Sequence, residues 1–263
     1  MQLIDAIGTL HVPAHDARIV SLVPSITELL CELGLAPRLV GRTGFCIHPA
    51  ALVGAIAKVG GTKDVNMGKI GALAPTHVIV NIDENEKPTV DALAAFVPHI
   101  VVTHPNAPRD NLDLALLMGG LFGAEAAAHA WCARFEHEYA LLKAAPKGPP
   151  ATVLYCIWQD PWMTVSGGTY IANMLAEIGW RVPQLGAQRY PVFSWNEALL
   201  EEIDAVLLSS EPYRFNQGHA DALEQQIGKP VQLVDGEMMS WYGSRSAAAL
   251  AYLRTLAQQG LVG

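Results

Sequence analysis

Apolar residues follow two alternating patterns along the first half of the chain. Short runs rich in Ile, Val and Leu, bounded by polar or turn-forming residues, are typical of strands buried on both faces of a sheet. Between them, apolar residues recur at three- and four-residue spacing, which is typical of amphipathic helices. Strands are predicted over 18–22, 38–41, 77–81 and 99–103, and helices over 25–33, 66–73, 89–96 and 109–121. This alternation predicts an α/β fold with a parallel sheet.

The longest helical pattern lies near the middle of the chain, over 125–145. Trp131, Phe135, Tyr139 and Leu142 recur along one face of it, and a Lys-Gly-Pro-Pro stretch then ends it. A second series of strands and helices is predicted over 151–158, 169–178, 205–209, 220–227, 230–234 and 244–259. The sequence therefore predicts an N-terminal α/β lobe over 1–123, a connecting helix over 124–146 and a C-terminal α/β lobe over 147–263.

The segment 18–34 predicts a buried strand, a polar turn and a helix in close succession. Ser25 stands three residues before Glu28, which is the spacing of a capping box at the start of a helix. Gly34 is placed to end that helix. In open α/β sheets, the turn after a strand lies at the edge where ligands bind. Ser25 is therefore a candidate ligand-binding residue.

The same segment resembles a known family. Arg18-Ile-Val-Ser-Leu-x-Pro-Ser-x-Thr-Glu28, followed by Leu-Gly and Val-Gly pairs and by Glu202-Ile-Asp-Ala-Val206, is similar to the helical-backbone class of substrate-binding proteins. That class serves importers of cobalamin, haem and ferric siderophores. The resemblance implies two Rossmann-like lobes joined by a long backbone α-helix, with a small-molecule ligand in a cleft between the lobes and no enzymatic activity.

Composition and charge argue against two classes of binding partner, nucleic acids and membranes. The formal charge is −8 and the basic residues are scattered, which argues against nucleic acid binding. No window has the apolar length of a membrane span, so membrane insertion is not expected. The first 20 residues lack the basic start and apolar core of a signal peptide. We therefore expect a cytoplasmic protein, or a periplasmic one if the printed sequence was trimmed of its leader.

The four cysteines show no zinc-like or CxxC spacing. Cys31, Cys132 and Cys156 each fall in an apolar helix or strand pattern, and we expect them to be small buried hydrophobic residues. Unpaired thiols are typical of a reducing compartment.

Aromatic residues concentrate in loops that follow predicted strands. A broad flat ligand such as a corrin or porphyrin offers faces that aromatic side chains can stack on. The alternative is that these rings seal loops over the core, as Trp131 and Trp180 are expected to do elsewhere. The candidate aromatic ligand-binding residues are Phe45, Trp158, Trp162, Tyr190, Phe193, Trp195, Trp241 and Tyr242.

The stretch Phe45-Cys-Ile-His-Pro49 suggests metal chemistry. It occupies the place where cobalamin-binding relatives carry a loop that touches the ligand. His48 and Cys46, together with His104, form a plausible ligand set for a transition metal or a chelated cobalt or iron. The alternative for His48 is a cap on the following turn. No spacing proves a metal site, because these residues stand on separate loops.

Charged residues supply further candidates. Asp83-Glu-Asn-Glu-Lys87 follows a strand, and Glu84 is the acid expected to face the ligand, although a solvated turn is the alternative. Arg214 and Arg245 are candidate bidentate donors to a phosphate or carboxylate of the ligand. Surface ion pairing is the alternative for both.

Two positions depart from the family pattern. Proteins of this class that deliver cargo to an importer offer one glutamate on each lobe to the ABC permease. The matching positions here are Gly68 and Asn196, and Glu197 is one residue away from the second. We hypothesise that this member binds a ligand but has lost the importer contact.

The sequence supports three functions, in this order. The first is a non-enzymatic binding protein for a corrinoid, haem or ferric chelate, with no obligatory cofactor, which acts as an intracellular carrier or as the solute receptor of an ABC importer. The second is a tetrapyrrole metal chelatase-like enzyme in which His104 and Glu84 act as a pair. The third is a protein-interaction module that uses the aromatic residues as a partner surface.

Overall fold

The computed structural model describes residues 2–261, which fall into two units. The first unit contains the residues up to Pro105, together with Arg109–Phe135 and Tyr242–Ser244. The second contains Asn106–Pro108, Glu136–Trp241 and the residues from Arg245 onwards. One boundary between them falls between Phe135 and Glu136, inside the continuous helix Glu125–Ala144.

The first unit is built on a five-stranded parallel sheet. Its strands are β1 (Ile19–Ser21), β2 (Leu39–Arg42), β3 (Ala57–Lys58), β4 (His77–Asn81) and β5 (His99–Thr103). Their order across the sheet is β3-β2-β1-β4-β5, and every neighbouring pair is parallel. The central strands β1 and β4 are fully buried, as the unbroken apolar runs predict.

Helices connect these strands. They are α1 (Pro24–Glu32), a 3-10 turn (Ala36–Arg38), α2 (Ala50–Val53), α3 (Met67–Ala72), α4 (Lys87–Ala94), α5 (Asp110–Phe122) and α6 (Glu125–Ala144). Val20, Val78, Val80, Ile70 and Leu93 form the core between sheet and helices, all at most 1% exposed. The predicted long helix is therefore present as α6, and Trp131 in it is buried as predicted.

The predicted capping box at the start of α1 is wrong. The helix begins one residue earlier, at Pro24, with Val23 in the capping position and no side chain bonded to the free N–H groups. Pro24 dictates this start, because its fixed φ already matches the helix and it has no N–H to satisfy. Ser25 is thus inside the first turn. Gly34 does follow the helix in the left-handed region, at φ +79°, as predicted.

The second unit has a mixed sheet. Its strands are β6 (Ala151–Trp158), β7 (Met163–Thr164), β8 (Trp180–Arg181), β9 (Ala205–Ser209) and β10 (Val231–Val234). The order is β10-β9-β6-β7, with β8 beside β6, and only the pairing of β6 with β7 is antiparallel. The short strands β7 and β8 were not predicted, because two residues carry no readable periodicity.

The helices of the second unit complete the element list. They are α7 (Tyr170–Glu177), α8 (Glu197–Glu202), α9 (Gln217–Ile227), α10 (Gly236–Ser240) and α11 (Ser246–Gln259). The helix α9 begins three residues before its predicted start, because Asn216 and His219 form a capping box there. Of the three cysteines expected to be buried, Cys31 and Cys156 are, whereas Cys132 is half-buried.

Candidate functional site

The first unit places several predicted site residues at one edge of its sheet. Phe45 and His48 follow β2, Ser25 follows β1, Glu84 follows β4 and His104 follows β5. The strands β2, β1, β4 and β5 are parallel neighbours, so their carboxyl ends lie side by side. This edge is where open α/β sheets bind ligands.

The loop after β2 turns two neighbouring side chains in opposite directions. Phe45 is 64% exposed, whereas Cys46 is fully buried. The Cys46 Sγ atom lies 3.2 Å from the hydroxyl of Thr27, which donates to it, and 3.1 Å from the hydroxyl of Thr43. Burial raises the pKa of the Cys46 thiol. Cys46 is therefore a packed neutral thiol, which is a poor metal ligand.

The structure does not assemble the three candidate metal ligands Cys46, His48 and His104. Within residues 2–261, no three or more His, Cys, Asp or Glu side chains are grouped so that they could hold a metal ion. The physical reason is clearest for Cys46, which faces the core and not the loop surface.

The acidic loop after β4 contacts its surroundings through two carboxylates. The Nε2 atom of His104 lies 3.5 Å from Oδ2 of Asp83, and the Tyr242 hydroxyl donates a hydrogen bond to Glu84. The structure thus places Asp83 beside His104, in the loop that also carries Glu84. Beside Tyr242, the N–H of Gly243 donates to Oδ1 of the buried Asn111, which fixes this segment to α5.

A small pocket of about 170 Å³ lies beside the carboxyl end of β5. Its wall includes His104, Asp110 and Asp113 together with apolar side chains of α5 and the N-terminal segment. Pockets for drug-sized ligands are roughly 300–1,000 Å³. This pocket is therefore too small for a corrinoid or a porphyrin.

Three of the six candidate aromatic residues of the second unit pack on one another. The Trp162 ring stacks on Phe215 with centroids 5.8 Å apart, and it meets Trp195 edge to face at 5.4 Å. Phe193 packs against Trp195 at 5.1 Å and is only 9% exposed. Trp162, Phe193 and Trp195 therefore belong to the core cluster around β6 and β9, which is the alternative that the sequence had left open.

Other candidates of the second unit remain at the surface. Trp158, the last residue of β6, is 40% exposed and meets Tyr213 edge to face at 5.4 Å. Tyr190 is half-buried, with the guanidinium of Arg189 at 6.0 Å from its ring centre. Arg214 is exposed. The aromatic surface at the carboxyl end of β6 is thus supplied by Trp158.

Sequence reasoning did not single out one acidic residue of this unit. Glu211 lies two residues after β9 and accepts a hydrogen bond from the indole Nε1 of Trp241 at 2.6 Å. The guanidinium of Arg245 lies 4.3 Å from the centre of the Trp241 ring. The sequence signal was available, since a glutamate just after a buried strand stands at the same sheet edge as the other candidates.

The two positions where the family pattern places docking glutamates have structural roles. Gly68 is exposed in the first turn of α3. Asn196 caps α8, because its side-chain oxygen accepts a hydrogen bond from the N–H of Leu199 at 2.9 Å. An asparagine at this position therefore stabilises the helix.

Comparison with known proteins identifies the family. The sequence profile described as periplasmic binding protein matches residues 19–227. The chain belongs to this family. Its members bind small-molecule ligands, are not enzymes and work with ABC permeases. No curated protein matches the chain.

Solved structures show the same fold. The vitamin B12-binding protein BtuF of Vibrio cholerae is 18% identical, with 93% of this chain and 99% of that one covered at a TM-score of 0.75. The haem-binding protein BhuT in complex with two haems is 20% identical, with 94% and 99% covered at 0.78. The haem-binding protein RhuT from Roseiflexus sp. RS-1 is 20% identical, with 91% and 97% covered at 0.75. The predicted two-lobed α/β fold is thus confirmed.

Among the helices of residues 2–261, none is long and apolar enough to cross a membrane.

Proposed function

We propose that this chain is a non-enzymatic receptor for a flat, conjugated small molecule: a corrinoid, a haem or a ferric chelate. The observation that carries the proposal is a pair of exposed aromatic side chains at strand ends. Phe45 follows β2 in the first unit and is 64% exposed, and Trp158 ends β6 in the second and is 40% exposed. An exposed aromatic ring at the carboxyl end of a strand offers a flat apolar face to a ligand at the sheet edge where α/β proteins bind ligands.

The relatives support the chemistry of the ligand. Structures with the same fold include a protein named for vitamin B12 binding and proteins named for haem binding. Both ligands present wide conjugated rings, which suit stacking on an exposed aromatic side chain such as Phe45 or Trp158. The proposal needs no metal ligand from the protein, because the chelating macrocycle brings its own.

The test is a titration of the purified protein with cyanocobalamin and with haemin, followed by calorimetry and by absorbance. We expect saturable one-to-one binding of one of the two, with Phe45→Ala and Trp158→Ala each weakening it about tenfold, the effect of losing one stacked ring. Phe96→Ala is the matched control, because Phe96 is 45% exposed but stands just before β5, at the amino edge of the sheet. Binding of neither compound would reject the proposal.

A second part of the proposal concerns delivery. We propose that the protein works as a carrier in the cytoplasm and does not present glutamates to a permease at Gly68 and Asn196. The support for the second point is that Gly68 has no side chain to offer a permease and that the Asn196 side chain caps α8. Fractionation of the native host tests this part, since recovery of the protein with periplasmic markers would overturn it.

A further inference from the structure

Glu211 holds the end of a short helix and the aromatic ring that follows it. One oxygen of its carboxylate, Oε1, accepts a hydrogen bond from the Ser240 hydroxyl at 2.9 Å and another from Nε1 of Trp241 at 2.6 Å. Ser240 is the last residue of α10, and Trp241 comes next. A single carboxylate oxygen therefore fixes both the helix end and the indole plane.

Glu211 is itself held from behind. The Ser209 hydroxyl donates to the Glu211 carbonyl at 2.5 Å, and the buried Tyr155 hydroxyl donates to Ser209 at 3.0 Å. Gly236 lets α10 approach this turn, since a Cβ there would lie only 2.7 Å from the Glu211 nitrogen. A side chain that is fixed at its backbone and at its carboxylate is well suited to orient another group.

The ring that Glu211 orients carries a cation. Arg245 stacks on Trp241 with 4.3 Å between the guanidinium carbon and the ring centre, and it also forms an ion pair with Glu237. The N–H edge of the indole is bonded to Glu211 and one of its faces is covered by Arg245. A flat ligand that stacks on Trp241 must therefore use the opposite face.

We infer that Glu211 is a positioning residue of the ligand site: it holds the indole of Trp241, and with it the stacked Arg245, in the orientation that meets a flat conjugated ligand. The inference rests on the proposed function for the class of ligand. The contacts of Glu211 themselves do not depend on it. A carboxylate is suited to this role because charge-assisted hydrogen bonds are stronger than neutral ones.

If Glu211 holds the Trp241 indole, ionisation of Glu211 should change the NMR signal of the indole N–H, which a purely packing role would not do. Burial raises the pKa of Glu211; the hydrogen bonds from Ser240 and Trp241 oppose the rise, Glu237 adds to it and Arg245 opposes it. The indole N–H of Trp241 should therefore report a titration with a midpoint above 4.5, the ordinary value for this carboxyl group.

The first experiment needs no ligand. In ¹⁵N-labelled protein, the Trp241 indole signal is identified by its loss in Trp241→Phe and followed from acid to neutral pH. We expect it to titrate in the wild type and in Glu201→Gln, an exposed glutamate of α8 that serves as control. The titration should be absent in Glu211→Gln, whose amide oxygen still accepts the hydrogen bond. If the chemical shift of the Trp241 indole changes neither with pH nor in Glu211→Gln, the inference is overturned.

The second experiment measures affinity for haemin and cyanocobalamin. Glu211→Ala should weaken binding about tenfold, the effect of losing roughly one charged hydrogen bond. Glu211→Gln should weaken it less, because its amide oxygen still accepts the hydrogen bond but carries no charge, and Glu201→Gln should bind as the wild type does at neutral pH. A folded Glu211→Ala protein with unchanged affinity would overturn the inference.

Two further results can be interpreted: an unfolded Glu211→Ala variant, and a wild type that binds neither compound. If Glu211→Ala does not fold, Glu211→Gln decides, because its affinity should lose the pH dependence that the wild type shows around the indole midpoint, and a retained dependence counts against the inference. If the wild type binds neither compound, the proposed function fails, and the indole titration alone then decides whether Glu211 positions Trp241.

Discussion

The imidazole rings of His77 and His99 stack with their centroids 4.6 Å apart. The two residues are the first of β4 and β5 and face each other in register across the sheet. His77 is only 3% exposed, and its other neighbours include the Phe122 ring and the Thr76 hydroxyl, 2.9 Å from its Nδ1 atom. This buried environment disfavours a positive charge on the His77 ring.

This stack predicts acid sensitivity. Burial, followed by the nearby His99 and His11, lowers the pKa of His77 from 6.5 to about 4. The folded state thus favours the neutral imidazole of His77. The stability that this side chain contributes is fully present above pH 6.5, and it is lost as the pH falls from 6.5 towards 4. The shift corresponds to about 3 kcal/mol of unfolding free energy.

The measurement is urea unfolding at a series of pH values for the wild type and for His77→Asn. The asparagine oxygen can still accept from Thr76 but does not titrate, so the decline between pH 6.5 and 4 should be smaller in this variant. His129→Asn, at an exposed position of α6, should leave the decline unchanged. Equal slopes in the wild type and in His77→Asn would contradict the prediction.

Arg42 predicts a second stability effect, in the loop that carries Phe45. Its guanidinium is buried and donates to the carbonyls of Val53 at 2.8 Å and Thr43 at 3.0 Å, so it ties both ends of the loop together. Arg42→Met should lower the free energy of unfolding by about 1–3 kcal/mol, because two buried carbonyls lose their partner.

The loop itself gives the control for Arg42. Ile47→Ala, at a 54% exposed position between Phe45 and His48, should change stability little, since exposed substitutions cost roughly 0.5 kcal/mol or less. The measurement is the denaturant midpoint of each variant relative to the wild type. Equal midpoints for Arg42→Met and the wild type would show that Arg42 does not support the loop.

The sequence was most informative where a pattern extends over many residues. The strand limits of β6 and β9 were predicted without error, since each is a long apolar run between polar turns. The start of α1 was misplaced because a Ser-x-x-Glu spacing competes with Pro24, and the proline determines the first turn.

The candidate site was predicted less well than the fold, because a sequence does not show which way a loop side chain turns. Phe45 and Cys46 are adjacent, yet one is exposed and the other fully buried. Trp158 and Trp162 stand in the same loop region, yet the first is exposed and the second is partly buried against the core cluster. Glu211 was not singled out because its meaning lies in a partner 30 residues away.

The cap of α8 predicts a third effect. Asn196 accepts from the Leu199 N–H at 2.9 Å. Asn196→Ala should lower the free energy of unfolding by about 1 kcal/mol, whereas Asn196→Asp should keep the cap and place a carboxylate where the family pattern has a glutamate. Thermal or denaturant unfolding checks this, and a destabilised Asn196→Asp would contradict the capping role.

Trp158 and Trp162 should respond to substitution in opposite ways. Trp162 packs on Phe215, Phe193 and Trp195, so Trp162→Ala should lower the free energy of unfolding by roughly 3 kcal/mol through the cavity it leaves. Trp158→Ala removes a ring that is 40% exposed and should cost roughly 1 kcal/mol or less.

Ligand affinity should show the reverse order. If Trp158 stacks on the ligand, Trp158→Ala should weaken haemin or cyanocobalamin binding more than Trp162→Ala does, when both are measured at a temperature where both proteins are folded. Trp162→Phe keeps an aromatic ring in the cluster and is the matched control for packing. A larger loss of affinity in Trp162→Phe than in Trp158→Ala would contradict the stacking role of Trp158.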